Sequence, residues 1–320
     1  MKDKKLAFKI TAAAASAALA TASARAALVN YTADANTVYL FHLDEAAGAS
    51  TAANSGTAGY NGLAVDGNPL TAGAATADTT LLGATSYTGY GNAISVASGL
   101  DRGLGVDVTG DGTFDVDDDT ISLGTLVGTN NSFTLEAMIN LPSLTASSHR
   151  EIWCTDNSAG NGDRGFQFRI TSGGLIEYNF IGDSTTNLIW TIPTTGDNAF
   201  QANTWFHIAM TYTETGVGSP TLEAFWTLVD PSRTQANSLG AVQNANQDFD
   251  GALVAPLVFG NEGRNTGSGV NMAESFLGSL DEGRISNVVR GAGDFIFVPE
   301  PSSALLGSLG VLALLRRRRD

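Results

Sequence analysis

The chain has 320 residues, of which 43% are hydrophobic and 8% aromatic, so it is long and apolar enough to bury a substantial core. This composition excludes global disorder. Glycine (37 residues) greatly outnumbers proline (8), which favours many short strands joined by tight turns.

The charge is unevenly distributed along the chain. The formal net charge is −15, but all four lysines lie within the first nine residues and four arginines lie at 316–319. Residues 27–301 contain eight arginines and thirty acidic residues, and therefore carry a formal charge of −22 with no lysine. Such a surface repels nucleic acid and anionic lipid, so nucleic-acid binding is excluded. Cys154 is the single cysteine, which excludes an intramolecular disulfide.

The N-terminus has the pattern of an export signal. Lysines at 2, 4, 5 and 9 precede a run of small apolar residues over 10–22, and small-x-small cleavage sites follow at 22–24 and 24–26. The pattern predicts a secretory signal peptide over residues 1–26, too short and alanine-rich for a lasting membrane span. The alternative is an amphipathic surface helix.

The C-terminus has three parts in a fixed order. Residues 298–303 (VPEPSS) break regular structure, residues 304–315 form an apolar run, and arginines occupy 316–319. The run is short for a relaxed membrane span but can thread a bilayer with help from its flanking charges. The positive cluster keeps that end in the cytoplasm. The membrane is therefore expected to be reached only through this segment.

This tail resembles the PEP-CTERM sorting signal of Gram-negative bacteria. The motif residues are Pro299, Glu300 and Pro301, and the terminal cluster comprises Arg316, Arg317, Arg318 and Arg319. The resemblance implies processing by an exosortase-type enzyme, transient anchoring in the inner membrane, and delivery to the cell surface or extracellular matrix. A plain tail anchor is the alternative.

The middle of the chain reads as strands separated by turns, with no convincing helix between them. Alternating or short apolar runs predict strands at 36–45, 91–96, 132–139, 151–154, 165–170, 175–181, 204–212, 221–228, 257–260 and 276–286. Strands at this spacing predict an all-β, two-sheet antiparallel sandwich. Disorder is expected over 64–89, where glycine, alanine and threonine dominate.

Three stretches resemble laminin-G-like, concanavalin A-like jelly rolls. They are the first strand with its Asp44-Glu45 end, the run TWFHIAMTY at 204–212, and the closing run FLGSLDEGRIS at 276–286. The resemblance implies one jelly-roll domain over 28–290, a linker at 291–297 and the sorting segment at 298–320. It also implies that 37–43 pairs with 278–286. Gly283 departs from the family, which carries a larger apolar residue there, so we expect a weaker core contact.

An acidic loop, within a predicted insertion at 101–120, has the spacing of a twelve-residue calcium loop. Positions 1, 3, 5, 7, 9 and 12 are taken by Asp107, Thr109, Asp111, Thr113, Asp115 and Asp118. Gly112 falls at position 6, where the chain must turn sharply. Four carboxylates, a hydroxyl and a backbone carbonyl are the hard oxygen ligands that calcium prefers. The loop resembles that of dockerin-type modules. The alternative is a solvated acidic insertion.

Asp281 is a second metal candidate, because it is a carboxylate flanked by residues that are expected to be buried. A buried carboxylate is costly unless a cation or several donors meet it. A related jelly-roll pattern places a structural calcium by such residues. The alternative is a core aspartate bonded to Arg284 or to a backbone amide.

No catalytic site is found in the sequence. The Glu-x-Asp-x-x-Glu run of sandwich glucanases does not occur. The pairs Asp44-Glu45 and Asp281-Glu282 are adjacent, so the members of each are expected on opposite strand faces. The three histidines, His42, His149 and His207, are best explained as core or surface residues. We therefore expect a protein that is not an enzyme.

The function expected from the sequence is an exported protein with a glycan- or matrix-binding jelly roll, stabilised by calcium. Trp153, Trp190 and Trp226 are candidates for stacking on sugar rings, although core packing explains each as well. The alternatives are a divergent polysaccharide hydrolase or lyase on the same fold, and a purely structural matrix protein.

Overall fold

The structure is a computed structural model that describes residues 28–66, 74–97, 101–116, 118–156, 164–180, 187–214, 220–244, 249–265, 270–271 and 274–297. The predicted signal peptide and sorting segment lie outside the described residues. Among the residues that are described, no helix has the length and apolar character needed to cross a membrane.

The first half of the domain contains short strands. In chain order they are β1 (Thr37–Phe41), β2 (Thr51–Ala52), β3 (Gly62–Asp66), β4 (Ala74–Ala77), β5 (Ala84–Thr85), β6 (Asn92–Val96), β7 (Arg102–Val106), β8 (Phe114–Asp115) and β9 (Thr120–Ser122). Two 3-10 turns follow, Leu123–Leu126 and Thr129–Asn131.

The second half contains the long strands. They are β10 (Phe133–Asn140), β11 (Arg150–Asp156), β12 (Arg164–Ile170), β13 (Leu175–Phe180), β14 (Leu188–Thr191), β15 (Trp205–Glu214), β16 (Pro220–Leu228), β17 (Ser238–Gln243), β18 (Val254–Phe259), β19 (Arg264–Asn265), β20 (Val270–Asn271) and β21 (Gly278–Ser286). The strands predicted from alternation all occur, with shifted ends.

The strands form two antiparallel sheets. Sheet A has the order β17-β16-β15-β10-β21-β6-β5, and β1 also pairs with β21. Sheet B has the order β14-β13-β12-β11-β18-β7-β3-β4-β8, with β2 on β3 and β9 on β18. β19 and β20 pair only with each other. The prediction of an all-β, two-sheet jelly roll is confirmed.

The core lies between the inner faces of the two sheets and is rich in aromatic rings. In sheet A, Phe133 stacks on Tyr212 with 4.8 Å between ring centroids, and Phe133 reaches Phe166 of sheet B at 6.2 Å. Phe41 of sheet A stacks on Trp153 of sheet B at 6.2 Å. These contacts join the sheets through buried rings, which remove a large apolar area from water.

Strand β15 shows how the sequence directs this packing. Ile208, Met210 and Tyr212 lie in the core between the sheets, whereas Ala209 lies in a separate apolar cluster on the outer face of sheet A. Both faces are buried, because a further layer of chain covers the outer face. His207 points to that outer face and is fully buried there.

The last strand lies in the middle of sheet A, as the family resemblance implied. Tyr39 of β1 pairs with Ile285, and Phe41 pairs with Gly283. β10 pairs along the other edge of β21. The predicted pairing of 37–43 with 278–286 is confirmed, and it joins residues almost 250 positions apart in sequence.

β1 and β6 share one edge of β21. β6 pairs with residues 278–280 and β1 with residues 283–286. Asp281 and Glu282 lie in the gap between them. The two acidic residues therefore occupy the point where sheet A changes its neighbouring strand.

A β-bulge at this point overturns the prediction that Asp281 and Glu282 face opposite sides. Glu282 has a φ of +47°, and the register with β10 shifts here. An extra residue in one strand resets the alternation of side chains. Asp281 lies opposite Met138, a residue of the outer-face cluster, and Glu282 accepts a hydrogen bond from the Tyr31 amide at 3.3 Å, so both carboxylates lie on the outer face.

The prediction that Gly283 leaves a weaker core contact is wrong, because the space beside it is filled. A Cβ at this position would lie 2.8 Å from the ring of Phe259, which faces it from sheet B. Phe259 in turn lies 4.5 Å from the Trp153 ring, measured between centroids. The ring of Phe259 therefore fills the space that a larger side chain occupies in the family.

The segment predicted to be a linker, 291–297, is part of the domain. Phe295, Ile296 and Phe297 are buried, and they cluster with Trp205 and Phe225 on the outer face of sheet A. The interpretation as a linker was wrong because three consecutive apolar residues cover a face of the sheet that would otherwise meet water.

The N-terminal segment 28–36 joins the same layer. The Val29 amide donates to the Ile296 carbonyl at 3.1 Å, and Arg290 forms an ion pair with Asp34 at 2.7 Å. Together, 28–36 and 287–297 form what we call the outer layer. Both ends of the described chain are thus held side by side.

Two other expectations are corrected. Part of the stretch 64–89, where disorder was expected, contains β4, β5 and the end of β3; residues 67–73 lie outside the described residues. The predicted insertion at 101–120 begins with β7, which pairs with both β3 and β18 inside sheet B. Because β8 pairs with β4, the loop that leaves the sheet is 107–113, which is shorter than the predicted insertion.

The outer layer generates a prediction about stability. Replacing Phe295 by alanine removes a ring that lies 5.2 Å from Phe225 and 4.9 Å from His207, measured between centroids. We expect the free energy of unfolding to fall by about 3–5 kcal/mol, measured by urea denaturation. Val289→Ala, at a residue 46% exposed, is the matched control. Equal stability of the two variants would restore the interpretation of 291–297 as a linker.

Candidate functional site

The acidic loop is organised by two carboxylates. Asp107 accepts hydrogen bonds from the amides of Gly110 (2.6 Å) and Gly112 (3.1 Å). Asp119, which is fully buried, accepts from the Val108 amide at 2.8 Å and the Asp115 amide at 2.9 Å. The loop is therefore folded by its own hydrogen bonds. The twelve-residue spacing predicts Asp118 as a ligand, but Asp118 is exposed and its neighbour Asp119 is the residue that turns inward.

The predicted calcium ligands are not gathered around one point in this arrangement. Thr109, Asp111, Thr113 and Asp118 are exposed, and Asp111 accepts from the Thr113 amide at 2.8 Å. Within the described ranges, no group of three or more acidic, histidine or cysteine side chains is placed to hold a metal ion. The residues do not form a ready-made calcium shell.

Asp281 is a fully buried carboxyl group at the bulge of β21. It accepts hydrogen bonds from the Ser86 hydroxyl and, at 2.7 Å, from the Glu282 amide. Burial raises the pKa of Asp281 to about 9, although these donors oppose the shift. Arg284, one of its predicted partners, is bound to Glu136 instead. The backbone-amide alternative matches the structure.

Two histidines were predicted to lie inside strands; His207 lies in β15, whereas His42 lies just after β1. His42 is hydrogen-bonded to Glu282 at 2.8 Å, and this bond raises the pKa of the imidazole. His207 is fully buried beneath Phe295 and Phe297, and burial lowers its pKa. Both histidines support the outer layer.

The tryptophans proposed for sugar stacking are core residues. Trp153 and Trp226 are fully buried and Trp190 is 5% exposed. Each indole donates to a backbone carbonyl: Trp153 to Glu136, Trp226 to Asn198 and Trp190 to Gly240. Their rings are not available to stack on a ligand, so this interpretation was wrong.

The outer face of sheet B carries a buried ion-pair cluster. Arg169 donates to Glu177 at 2.6 Å, to Glu151 at 3.0 Å and to Glu274 at 2.9 Å. Burial raises the pKa of Glu151 well above its usual range, against the opposing charge of Arg169. Breaking such a cluster by removing its cation is expected to be strongly destabilising.

A groove of about 430 Å³ opens at the end of sheet A where β6 and β10 finish and β21 begins. Its lining is mostly small and polar: Ser95, Asn140, Ser143, Thr145, Ser147, Arg150, Asn203 and Ser279 contribute side chains, with Val96, Ala97, Pro142, Ala146, Leu277 and Gly278. Hydroxyl and amide groups both donate and accept hydrogen bonds, as do the hydroxyls of a sugar.

Backbone contacts shape this groove. Gly278 has a φ of +145°, and a Cβ there would lie 2.4 Å from the Asn140 carbonyl oxygen, so only glycine lets β10 and β21 approach this closely. The Asn203 amide donates to the Leu141 carbonyl at 2.8 Å and so brings the start of β15 to the groove. The Ser279 and Ser95 hydroxyls are bonded at 3.1 Å.

A family model of the concanavalin A-like lectin/glucanases superfamily matches residues 110–294, which is more than half of the chain. The chain belongs to the concanavalin A-like lectin/glucanases superfamily. The laminin-G-like resemblance inferred from 204–212 and 276–286 is therefore confirmed. The structure extends this superfamily domain to residue 28, because β1 lies in the middle of sheet A.

The C-terminal resemblance is confirmed as well. The PEP-CTERM protein-sorting motif matches residues 297–319. This motif indicates export and surface association in a Gram-negative bacterium, with processing by an exosortase. Because the superfamily domain includes Phe297, the sorting motif follows the folded domain without a spacer.

Several solved structures resemble this superfamily domain. The CBM40 of the Ruminococcus gnavus IT-sialidase, bound to α2,3-sialyllactose, is 14% identical with a TM-score of 0.43, over 65% of this chain and 95% of that one. The binding domain of botulinum neurotoxin DC in complex with SialylT is 11% identical with a TM-score of 0.43, over 81% of this chain and 50% of that one.

Trypanosoma rangeli sialidase is 11% identical with a TM-score of 0.45, over 92% of this chain and 38% of that one. Similarities this low carry no argument about ligands or activity. A comparison with curated protein sequences finds no relative of this chain.

The groove was missed in the sequence because its parts come from separate segments. Residues 95–97, 140–150 and 277–279 meet only after β6, β10 and β21 pair, and none carries a recognisable motif. Serine, threonine and asparagine in these segments read as turn residues. The one usable signal was Arg150, a charged residue beside the apolar run that became β11.

The raised pKa of Asp281 predicts a pH dependence. Its folded pKa of about 9 exceeds the ordinary value of 3.8, so between these values the folded state binds a proton that the unfolded state has lost. Stability should therefore fall as pH rises from about 4 towards 9, by about 1.4 kcal/mol per pH unit from this group.

Asp281→Asn should abolish that slope, as measured by urea denaturation at pH 6, 7.5 and 9 in the presence of EDTA. Asn keeps the shape of the side chain but does not titrate. Asp250→Asn, at an exposed aspartate, serves as the matched control and should behave as the wild type. Parallel pH profiles for wild type and Asp281→Asn would contradict the assignment.

Proposed function

We propose that this protein is an exported, surface-delivered glycan-binding protein that binds its ligand in the groove at the end of sheet A. The observation that carries the proposal is the groove itself, which presents clustered hydroxyl and amide groups at one end of the sandwich. Membership of a lectin-containing superfamily and the sorting motif support the same conclusion. The partners would be the processing exosortase and a polysaccharide or matrix glycan.

The mode of binding follows from the lining. Ser95, Ser143 and Asn203 are exposed and free of aromatic neighbours in the groove, so hydrogen bonds rather than ring stacking would hold the sugar. Polar grooves of this kind exchange ordered water for ligand hydroxyls, and affinities per site are modest. Repeated weak contacts along a polysaccharide would supply the avidity that a surface protein needs.

The alternative, a polysaccharide hydrolase or lyase, has one observation in its favour. Arg169 holds Glu151, whose pKa is raised, near Glu177, and glycosidases use one protonated and one ionised carboxylate. Both carboxylates are nevertheless committed to the same guanidinium, which favours a role in stability. Release of reducing ends from a polysaccharide, lost in Glu177→Gln, would favour the hydrolase. A purely structural matrix protein would bind no glycan at all.

The groove can be tested by blocking it. Ser279→Phe places a ring in the groove, whereas Ser238→Phe places the same ring on exposed strand β17 of the same sheet. On a glycan array and in polysaccharide pull-downs, we expect Ser279→Phe to lower binding by about tenfold or more, which corresponds to about 1.4 kcal/mol. Ser238→Phe should bind as the wild type does. Equal binding by both variants would remove the groove from the proposal.

We further propose that the loop 107–118 binds calcium weakly and so stabilises the exported domain. The support is the spacing of its acidic residues and the hydrogen bonds through which Asp107 already curls the loop. Because the ligands must be gathered on binding, we expect a dissociation constant on the order of 10⁻⁴–10⁻³ M, as in extracellular modules.

Calorimetry with calcium should detect this site, and calcium should raise the melting temperature. Asp111→Ala should abolish both effects, because it removes the ligand at position 5. Asp250→Ala, at an exposed aspartate outside the loop, should change neither. No heat of binding, or an unchanged response in Asp111→Ala, would rule the calcium proposal out.

A further inference from the structure

Arg150 is the one charged side chain in the lining of the groove. The lining contains no aspartate, glutamate or lysine, although the domain as a whole is strongly acidic. Arg150 is the first residue of β11 and only 1% exposed, so it forms part of the groove's floor rather than its rim. A buried arginine in a groove without acidic residues is costly, and an anionic ligand would lower that cost.

The other arginines whose side chains the structure describes all have a carboxylate partner. The pairs are Arg102 with Asp78, Arg169 with Glu177, Arg233 with Asp197, Arg284 with Glu136, and Arg290 with Asp34. Arg150 has none among the described residues. Residues 27–301 contain thirty acidic residues, yet none of them lies in the lining of the groove beside Arg150.

The partners that Arg150 does have are neutral. Its Nη1 donates to the Ser143 carbonyl at 2.7 Å and its Nη2 to the Leu144 carbonyl, while its Nε is buried without a partner. Carbonyl dipoles orient the guanidinium but do not cancel its charge, and burying an uncompensated charge costs several kcal/mol. Burial lowers the pKa of Arg150 to about 10, so the group remains charged at neutral pH.

We propose that Arg150 is the anion-recognition point of the groove and that the ligand is an acidic glycan whose carboxylate meets this guanidinium. The inference rests on the proposed function, because the surrounding hydroxyl and amide groups would take the neutral part of the sugar. Each Nη of Arg150 carries a second N–H besides the one that the Ser143 or Leu144 carbonyl accepts, and a ligand that displaces the thin cover over this side chain could pair its planar carboxylate with those groups through charge-assisted hydrogen bonds. Uronic-acid polysaccharides have this chemistry. A sulfated glycan offers an anion of another shape.

Binding of matched oligosaccharides to the full-length exported protein tests the inference. The probes are an oligogalacturonate, the same oligosaccharide with its carboxyl groups reduced to alcohols, and a sulfated neutral oligosaccharide of equal length. We expect the oligogalacturonate to bind about tenfold or more tightly than the reduced form, as expected when a buried charge loses its partner.

The variants separate charge from shape. Arg150→Met should reduce the preference for the acidic probe to about onefold while retaining binding of the reduced probe, and Arg150→Lys should keep part of the preference. Arg233→Met removes a partly exposed arginine elsewhere and should leave the preference unchanged. If Arg150→Met unfolds, competition of galacturonic acid against galactose on the wild type gives the same comparison without a variant.

Each outcome has a distinct meaning. Equal binding of acidic and reduced probes would overturn the role of Arg150 while the glycan-binding proposal stands. Tighter binding of the sulfated probe would overturn the carboxylate assignment. Absence of binding to every probe and to a broad glycan array would overturn the proposed function and this inference together.

Discussion

The buried ion pair between Glu136 and Arg284 is the interaction on which the rest of the structure depends. Glu136 is in β10 and Arg284 in β21, the two central strands of sheet A, and their side chains meet at 2.6 Å on the outer face. Burial alone would raise the pKa of Glu136, but Arg284 and His207 outweigh it and hold that pKa below its usual value. The carboxylate is thus kept charged inside the protein, and the desolvation cost of the pair requires a cover that supplies further partners.

The outer layer provides that cover, and it supplies hydrogen bonds and a ring contact to Glu136 and Arg284. The Tyr31 hydroxyl donates to Glu136, while its ring stacks on the Arg284 guanidinium, whose Cζ lies 3.6 Å from the ring centroid. Arg284 also donates to the Asp294 carbonyl at 3.2 Å. One residue from each end of the domain therefore completes the same polar group, and the apolar residues beside it exclude water. The Glu136–Arg284 pair therefore helps to hold both segments of the outer layer against sheet A.

The long strands could be predicted from the sequence because their alternation is strong, and the pairing of the first and last strands followed from the family resemblance. Strand β7 could not be predicted from the sequence, because its residues, RGLGV, have the composition of a turn. In the folded protein, Gly105 is required because a Cβ there would lie 2.4 Å from the Phe114 ring. The outer layer was missed for a related reason. Phe295 to Phe297 come just before a sorting tail, and nothing local shows that sheet A needs a second apolar cover. The groove could not be predicted because its lining comes from segments that are far apart in the sequence. The lack of a carboxylate beside Arg150 could not be predicted for the same reason.

The charge of the domain and the charge of the groove act over different distances. Residues 27–301 carry a formal charge of −22, which would repel an anionic polysaccharide at long range. At physiological ionic strength the Debye length is about 8 Å, so most of that repulsion is screened before a ligand reaches the surface. Under our proposal, Arg150 would then attract the ligand's carboxylate, because it is buried and the other groups that line the groove are neutral. If Arg150 receives the carboxylate of an acidic glycan, as we propose, an acidic surface with one buried cation that lacks a described carboxylate partner would favour anion binding at the groove.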